Sequence, residues 1–416
     1  KSLMQKLISN FKACFLLGIL FSSGFCSAVI AASANSISVS LELLASPAPS
    51  NSSLSRLVRD EAGQVYLSWV NQDNELAQLV YSKLMDTGWS NPIVIGEGAD
   101  WFINWADFPM LSVSNGNMAA HWLRISDDGA YDYDIEARFY DEKNRMWSEK
   151  RVIHTDGVSA EHGFVSMLPI SEQGETNTLI TWLDGRNTKA GEEYGEMTLR
   201  AGIFDSLGET LSEWEIDHRV CDCCQTSTAM TAKGPLVVYR DRSSDEIRDI
   251  SMVRYSSGEW TKPRTIHDDK WQINGCPVNG PAVSAKDDQV AVAWFTAKED
   301  TPKVQLALSS DSGDTFSEPI VIASPETNGR VDTAILKAGA IAVSWIDITE
   351  AHAKIMLSLF SPQGVLLHTS VVAKTSASRR SGFPIIESVG DSVFVTWTDV
   401  GETPQVKVAR LEFELN

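Results

Sequence analysis

The stretch VAVAW, residues 290–294, recurs in variant form along the whole chain of 416 residues. Each copy is a short apolar run that ends in an aromatic residue, and the steps between successive aromatic residues are 53, 60, 57, 55, 51 and 52 residues. Runs of this length and composition predict buried β-strands. The seven copies end at Trp69, Trp122, Trp182, Tyr239, Trp294, Trp345 and Trp397. Near-even spacing over seven copies indicates an internal repeat.

Further short strands flank each aromatic run. Another apolar run precedes it, as at residues 383–387, and an alternating run that leads into a polar turn follows it, as at 306–322. The unit is therefore four strands in roughly 50 residues, and no segment shows a helical period. Such units predict an all-β protein, a β-propeller with seven four-stranded blades, or with six if one unit is irregular.

The two ends of the chain complement each other. The last unit has only three strands before Asn416. Near the other end, Ile37, Val39, Leu41 and Leu43 alternate with polar or small residues, which is the pattern of a half-buried strand. We expect this N-terminal strand to complete the last blade, because the pairing closes the ring and removes an open sheet edge. Residues 35–416 are thus predicted to form a single propeller domain.

The first 34 residues have the features of a secretory signal peptide. Three lysines precede an apolar run at 13–21 that is too short to span a bilayer, and small residues follow it. The sequence therefore predicts a periplasmic or secreted bacterial protein that does not insert into the membrane after cleavage. The formal net charge of −20 argues against nucleic acid as a partner.

One turn carries a family resemblance. The residues Ser309-x-Asp311-x-Gly313-x-Thr315-Phe316 are similar to the Asp box of the BNR/sialidase-like β-propellers, and they fall between the third and fourth strands of a unit. The segments CDCCQT (221–226) and GCPVNGP (275–281) resemble those of a group of exported bacterial sialidase-like proteins. The resemblance implies an arginine triad, a tyrosine nucleophile with a glutamate base, and an aspartate acid/base.

Two departures weaken the catalytic part of that resemblance. The early x-R-[IL]-P motif is missing, since Ser55-Arg56-Leu57 is followed by Val58. The nucleophilic tyrosine of the family falls late in the chain, but the last tyrosine here is Tyr255. A covalent tyrosine mechanism in its usual arrangement is therefore not expected.

Blade topology sorts the unusual residues onto one face. The connections from the fourth strand to the next blade, and from the second strand to the third, lie on the same side of the disc; we call this side the loop-rich face. Carboxyl pairs can cleave glycosidic bonds, and arginine binds carboxylate or sulfate bidentately. The candidate catalytic residues are Asp107, Glu161, His162, Asp241 and Asp332. The candidate ligand-binding residues are Arg186, Arg240, Arg242, Arg330, Arg380 and Trp105.

Four cysteines follow the predicted leader and fall on the same face. Three lie in VCDCCQTS, residues 220–227, and Cys276 begins the equivalent approach to the next blade. One interpretation is a structural disulfide from Cys276 to Cys223 or Cys224. The second is a Cu or Zn site formed by Cys221, Cys223, Cys224 and Cys276. The third is a set of redox-active thiols.

The sequence therefore predicts an exported sialidase-like propeller that binds an anionic carbohydrate, or another anionic small molecule, on its loop-rich face. Whether the protein also hydrolyses that glycan is left open by the missing late tyrosine. Two alternatives stand beside this prediction. One is a non-catalytic propeller with a metal-binding or redox-active cysteine rim, and the other is a scaffold for protein interactions.

Overall fold

The computed structural model describes residues 37–172, 174–189, 195–349 and 352–414, and the predicted leader lies outside them. Seven antiparallel four-stranded sheets follow one another along the chain. The innermost strand of each sheet contacts the innermost strands of both neighbours, and the seventh contacts the first. The fold is thus a closed seven-bladed β-propeller, as predicted, and the six-bladed alternative is wrong.

The blades share one strand order, in which the first strand faces the axis and the fourth lies outside. The first strands are Ser52–Arg59, Leu111–Ser114, His162–Glu172, Ser227–Thr231, Ala282–Lys286, Asp332–Ile335 and Ile385–Val389. The second strands are Val65–Asp73, Asn117–Ile125, Glu175–Asp184, Gly234–Arg240, Gln289–Thr296, Ile341–Ile348 and Ser392–Asp399. The third strands are Leu76–Met85, Tyr133–Asp141, Thr198–Phe204, Ile250–Ser256, Lys303–Ser309, Ala353–Phe360 and Gln405–Glu414.

The fourth strands vary most. Those of blades 1, 2 and 4 are each split into two short segments that pair with the same third strand. The segments of these blades are Gly88–Trp89 and Ile93–Gly98, Met146–Trp147 and Arg151–Val152, and Glu259–Trp260 and Arg264–Thr265. Blades 3, 5 and 6 have the single strands Thr210–Asp217, Ile320–Ala323 and Leu366–Thr375. In the described connections, three short 3-10 helices lie at Arg186–Lys189, Lys298–Asp300 and Arg379–Ser381.

The N-terminal strand closes the ring. Ser38–Leu44 forms the fourth strand of blade 7 and pairs antiparallel with Gln405–Glu414, in a register that sets Ser38 against Glu414 and Leu44 against Val408. This pairing confirms the closure that the sequence predicted. It covers the last sheet edge with a strand from the opposite end of the chain.

The repeated aromatic residues are the centres of the blades. Each lies in the second strand of its blade and is at most 4% exposed. Burying an indole requires a partner for its N–H, and in several blades an acidic side chain supplies it. Trp122 donates to Glu136, Trp182 to Asp184 and Trp345 to Asp347. The repeat that defines the fold thus also fixes acidic side chains between strands.

The Asp-box residues of blade 5 form a hydrogen-bonded turn. The Oδ atoms of Asp311 accept hydrogen bonds from the Ser309 hydroxyl at 2.7 Å and from the Thr315 hydroxyl at 2.6 Å. The backbone N–H of Gly313 donates to Ser309 at 2.8 Å, and φ of Gly313 is +87°, a conformation that favours glycine. The motif therefore stabilises a turn between the third and fourth strands.

Candidate functional site

The connection from blade 1 to blade 2 lies at the centre of the loop-rich face. It borders an axial cavity of about 400 Å³ that the first strands of the blades surround. The Trp105 ring stacks on Phe383 of blade 7, and the carbonyl of Ala106 accepts a hydrogen bond from Gln225, which precedes blade 4. Asp107 accepts the N–H of Phe164 in blade 3 at 2.7 Å. This connection therefore joins several blades at one end of the axis.

A tyrosine joins two of the candidate catalytic carboxyl groups. The Tyr133 hydroxyl oxygen lies 3.0 Å from Asp107 Oδ2 and 3.0 Å from Glu161 Oε1. The Tyr133 ring, 1% exposed, stacks on Phe102 at a centroid distance of 4.2 Å. A phenol carries only one proton, so it donates to one carboxyl group and must accept from the other if both contacts are hydrogen bonds. The geometry therefore favours one protonated carboxyl group.

The pKa values of both carboxyl groups are raised, in agreement with that count of protons. Burial raises the pKa of Asp107 to about 7, against the opposing effect of the Phe164 N–H. Burial also raises the pKa of Glu161 to about 8, and the nearby charges of Asp107 and Asp222 add to this effect. Asp107 is 2% exposed, whereas Glu161 is only partly buried. Of the three groups, Glu161 is the one that a ligand in solvent can reach.

Glycine makes the close approach of these groups feasible. A Cβ atom at Gly163 would stand 1.9 Å from Asp107 Oδ2 and 2.9 Å from the Tyr133 ring. These distances are far shorter than van der Waals contact, so no other residue fits without displacing the carboxyl–tyrosine cluster of Asp107, Tyr133 and Glu161. The absence of a side chain at Gly163 thus leaves the space that Asp107 and Tyr133 occupy beside Glu161.

His162 points away from this cluster, into a second one. Its Nδ1 lies 3.1 Å from the carbonyl oxygen of Ala160, and its Nε2 faces Asp156 Oδ2 at 3.4 Å and Asp184 Oδ1 at 3.7 Å. Its ring stacks on His154 at 3.8 Å. Burial lowers the pKa of His162, and the charge of His154 adds to this effect. We describe His162 as a buried group with no path to a ligand on the face, since it is 0% exposed.

Arg186 neutralises this second cluster. Its Nε and Nη2 donate to the two oxygens of Asp184, each at 2.7 Å. Its Nη2 also lies 3.3 Å from Asp156 and 3.3 Å from Glu213. Burial favours a higher pKa for Asp184, but the hydrogen bonds from Arg186 and Trp182 and the charges of His162 and Arg186 together hold the pKa below its usual value. Arg186 is therefore engaged by three carboxylates of its own protein.

Two other candidate arginines are also engaged within the protein. Arg240 is 1% exposed and donates to the carbonyl oxygens of Asn279, Arg248 and Phe295 at 2.6–3.0 Å. Arg242 is paired with Glu246 at 2.7 Å, and it also faces Asp222 and Glu196. The first joins the connections of neighbouring blades, and the second belongs to an ion-pair network at the rim.

Arg330 has a different environment. It is 3% exposed, and its Nη1 donates to Ser381 Oγ at 2.8 Å and to the carbonyl oxygens of Gly382 and Ser378 at 2.9 and 3.3 Å. Its Nε and Nη2 make no hydrogen bond with any residue that the structure describes. Two donors of a buried guanidinium are therefore left free.

Trp105 brings a second arginine beside the first. The guanidinium carbons of Arg330 and Arg379 lie 4.7 and 5.9 Å from the Trp105 ring centroid. Neither guanidinium has a carboxylate partner among the described residues. Burial, together with the positive charge of Arg379, lowers the pKa of Arg330 to about 10. We call Trp105, Arg330 and Arg379 the arginine–tryptophan site. Arg380, the neighbouring candidate, is exposed and lies outside it.

The remaining candidate acids lie apart from these groups. Asp241 accepts hydrogen bonds from the Arg242 N–H at 2.7 Å and from the Ser251 hydroxyl at 2.9 Å. Asp332 borders the axial cavity, where its Oδ2 accepts the N–H of Ile386 at 2.9 Å. Burial raises the pKa of Asp332, an effect that the charge of Arg56 opposes. The structure thus unites Asp107 and Glu161 but leaves Asp241 and Asp332 separate.

The four cysteines lie together as free thiols. Cys221 and Cys224 are fully buried, Cys223 is partly buried and Cys276 is exposed. The Sγ atoms of Cys221 and Cys224 are 3.3 Å apart, and Cys223 interacts with the other three thiols. Arg248 Nη1 donates to Cys221 Sγ at 3.2 Å. No disulfide is found among the cysteines of the described residues, so the first of the three interpretations, a pairing of Cys276 with Cys223 or Cys224, is not confirmed.

The sequence interpretation missed two members of these sites. Tyr133 and Arg379 both lie in connections that were assigned to the loop-rich face, but neither was chosen as a site residue. Tyr133 begins a third strand and follows Asp132, which is a typical turn position. Arg379 was passed over for the adjacent Arg380, and residue type alone offers no way to choose between them.

The fold and these sites define a seven-bladed β-propeller with charged clusters on one face. No protein-family model matches the chain, and no curated protein matches it. Solved structures with a similar chain path include the phage phi92 endosialidase, 11% identical over 91% of this chain and 70% of that chain, TM-score 0.48. A polysaccharide lyase PL25, an ulvan lyase, is 12% identical over 77% and 81%, TM-score 0.47. The sialidase of Trypanosoma rangeli is 9% identical over 73% and 53%, TM-score 0.44. No residue role is transferred from them.

Proposed function

We propose that this propeller binds an anionic carbohydrate on its loop-rich face, through Arg330 and Arg379 of the arginine–tryptophan site. The observation that carries the proposal is the lack of any carboxylate partner for these two arginines among the described residues. The chain holds 55 acidic residues against 35 basic ones. Two adjacent guanidinium groups without an acid are unusual in such a protein, and an external anion would supply the missing charge.

The geometry suits a carboxylate or a sulfate. Arg330 is held by Ser378, Ser381 and Gly382, so its free Nε and Nη2 donors are fixed in direction. A guanidinium presents such a pair of donors to two oxygens of one anion. Arg379 is exposed and adds a second charge on the solvent side. Trp105 contacts both groups, and Phe383 stacks on its ring.

The choice of a sugar acid, rather than another anion, rests on the resemblance of the blade 5 turn to the Asp box of sialidase-like propellers. A sugar acid combines a carboxylate with hydroxyl groups. Nucleic acid is excluded from the proposal, because a net charge of −20 repels a polyanion. Two arginines beside one tryptophan suit a single small anionic group and not a long phosphate backbone.

Hydrolysis is a second candidate function, and Glu161 is the observation that favours it. A carboxyl group with a pKa of about 8 is protonated at neutral pH and can give its proton to a leaving oxygen. Asp107 and Tyr133 are too buried to contact a substrate, so they would hold Glu161 in place. A covalent tyrosine mechanism does not follow from this geometry. On this proposal, replacing Glu161 with Gln abolishes cleavage of a chromogenic glycoside and leaves binding intact.

A binding screen tests the main proposal. The melting temperature of the protein is measured with N-acetylneuraminic, glucuronic and galacturonic acids, and with sulfated sugars, each paired with its neutral counterpart. We expect stabilisation by at least one acid and by none of the neutral sugars. The Arg379→Ala variant, which changes an exposed side chain, should lose that stabilisation. A response that is equal for acids and neutral sugars would contradict the proposal.

Export is part of the proposal as well. The described residues contain no helix that is long and apolar enough to cross a membrane. We propose that residues 1–34 direct the chain to the periplasm or the medium and are then removed. The mass of the protein recovered from a bacterial periplasm, compared with that of the full chain, tests this step. Recovery of the uncleaved chain in the cytoplasm would contradict it.

A further inference from the structure

The four cysteines form a sulfur-lined site that the proposed function does not use. Cys221, Cys223 and Cys224 place their Sγ atoms within 4.8 Å of one another. Cys276 reaches Cys223 from the connection between blades 4 and 5. The site thus joins two connections of the loop-rich face that are more than 50 residues apart in sequence. Sulfur is the only donor type that the described residues bring to it.

The spacing of the sulfur atoms differs from that of disulfides. A disulfide joins its sulfur atoms at about 2.05 Å, whereas Cys221 and Cys224 are 3.3 Å apart. Tetrahedral metal–sulfur bonds of about 2.3 Å place two sulfur ligands about 3.8 Å apart. Three sulfur atoms within 4.8 Å of one another can therefore surround one ion with small side-chain adjustments.

A buried arginine gives the site its charge balance. Arg248 is 2% exposed, and its Nη1 donates to Cys221 Sγ at 3.2 Å. Three thiolates around one monovalent ion leave two negative charges, and around a divalent ion they leave one. A hydrogen-bonded cation beside the sulfur atoms compensates the remaining charge and holds the ligand in place. Arg248 cancels the charge of the divalent complex and leaves one negative charge on the monovalent one, so charge alone does not select the ion. Three close sulfur atoms favour Cu(I), because structural Zn(II) sites take four ligands.

We propose that Cys221, Cys223 and Cys224 bind one soft metal ion, with Cu(I) as the preferred ion and Zn(II) as the weaker one, and that Cys276 is its solvent-exposed point of entry. Soft thiolate ligands select these ions. Each coordinating thiol releases its proton to solvent on binding. Cys276 is the exposed thiol, and its contact with Cys223 provides a path by which an ion passes from solvent to the buried thiols.

The test uses the full propeller, reduced and kept without oxygen. Cu(I) is offered from a chromophoric chelator of known affinity, and Zn(II) from another, and the metal transferred per chain is measured by absorbance. We expect one Cu(I) per chain, bound at least 100-fold more tightly than Zn(II). The Cys223→Ser variant should lose at least 100-fold in Cu(I) affinity.

Two further variants keep the test independent of folding. Cys276→Ser changes an exposed side chain, so it should fold normally, slow the transfer of Cu(I) and lower the affinity about tenfold or less. Asp245→Asn is the matched control, because it removes one negative charge from the neighbouring connection but its side chain is exposed and offers no sulfur, and its Cu(I) affinity should stay within about threefold of the parent protein. Unfolding curves in the absence of metal report whether each variant is native.

Three results would overturn the proposal. The first is a reduced, folded protein that takes up neither ion from the chelators. The second is a Cys223→Ser variant that is folded and binds as tightly as the parent protein. The third is a protein whose mass is four hydrogens below that of the reduced chain, and whose disulfides resist reduction until it unfolds. That last result would make the four cysteines a structural cross-link.

Discussion

Arg186 and Arg330 are both partly or fully buried arginines on the loop-rich face, and they differ in their partners. Arg186 contacts three carboxylates, of which Asp184 binds it through two hydrogen bonds of 2.7 Å. Arg330 contacts no carboxylate of the described residues and is held by neutral oxygens. Burial acts to lower the pKa of both, but the Asp184 contacts raise that of Arg186, whereas that of Arg330 falls to about 10. Position on a face therefore does not make an arginine a ligand-binding residue; the charge around it decides.

The same distinction separates two clusters of acidic side chains. Glu161 belongs to one cluster, and His162, its neighbour in sequence, lies in the other. Glu161 joins a cluster to which the described part of the chain brings no cation, and its pKa rises to about 8. His162 faces Asp156 and Asp184, where Arg186 supplies the positive charge, and the pKa values of both acids are lowered. One cluster therefore holds protons at neutral pH, and the other holds an internal ion pair. We therefore expect the Glu161 cluster to react with external groups and the cluster of Asp184 and Arg186 to be structural.

The largest effect should come from removing Arg186. The Arg186→Met variant leaves Asp184, which is 0% exposed, as a buried charge without its cation. We expect a loss of about 3 kcal/mol in the free energy of unfolding, since breaking a buried pair strands the remaining charge. Urea unfolding at neutral pH measures it. Arg242→Met serves as the control, because its partners are partly exposed, and it should cost about 1 kcal/mol or less. Equal losses of unfolding free energy in the two variants would contradict a structural role that is particular to Arg186.

The next effect is a gain in stability that depends on pH. The folded chain keeps the Glu161 proton up to about pH 8, whereas an unfolded chain releases it near pH 4.5. The stability that this proton contributes is therefore fully present below pH 4.5 and is lost as the pH rises through 8. The rise from 4.5 to about 8 corresponds to at most about 4 kcal/mol at pH 8, and the partial exposure of Glu161 reduces this value. Glu161→Gln should thus unfold with about 2 kcal/mol more free energy than the parent at pH 8 and with no difference at pH 4. A difference that is constant with pH would contradict the raised pKa.

A smaller effect concerns binding. Arg379→Ala removes one charge of the arginine–tryptophan site, and we expect about tenfold weaker binding of the sugar acid identified in the screen, or about 1.4 kcal/mol. Calorimetric titration at low and at physiological salt measures it, and screening should reduce the difference at high salt. Arg380→Ala changes the adjacent exposed arginine and should bind like the parent protein. If both variants lose affinity equally, general surface charge and not the site attracts the ligand.

The smallest effect should be that of Arg330 on folding. Arg330→Met removes a buried charge that has no acid, together with its hydrogen bonds to neutral oxygens. Because the relief of burial offsets those lost bonds, we expect a change of less than about 1 kcal/mol in the free energy of unfolding. Urea unfolding beside the Arg186→Met variant gives the contrast directly. A loss as large as that of Arg186→Met would mean that Arg330 is a structural residue.

The fold could be predicted because the repeat is local in sequence. Each aromatic strand, such as the one that ends at Trp294, marks one four-stranded unit. The alternation of apolar with polar or small residues from Ile37 to Leu43 identifies the strand that closes the ring. Blade topology also placed Asp107 and Glu161 on one face. The hydrogen bonds that join them could not be predicted, because Tyr133 contacts residues that lie 26 and 28 positions away, and neither could the burial that raises their pKa values.

The arginines show where local patterns mislead. Arg186 lies two residues from Asp184, so its pairing could have been inferred from the sequence. Arg330 depends on Ser378 to Gly382, about 50 residues further along, and on Trp105 in another blade connection. Contacts between residues that are distant in sequence thus decide which arginines lack a carboxylate partner. Such contacts form only in the folded chain.

The most direct test of the central claim is a double comparison of affinities by calorimetric titration. The dissociation constants of N-acetylneuraminic or glucuronic acid, whichever binds, and of its uncharged methyl ester are measured with the parent protein and with Arg379→Ala. We predict that the parent protein prefers the acid at least tenfold and that Arg379→Ala removes most of this preference. An equal affinity for acid and ester, or a preference that survives in the variant, would contradict binding of an anion at Arg330 and Arg379.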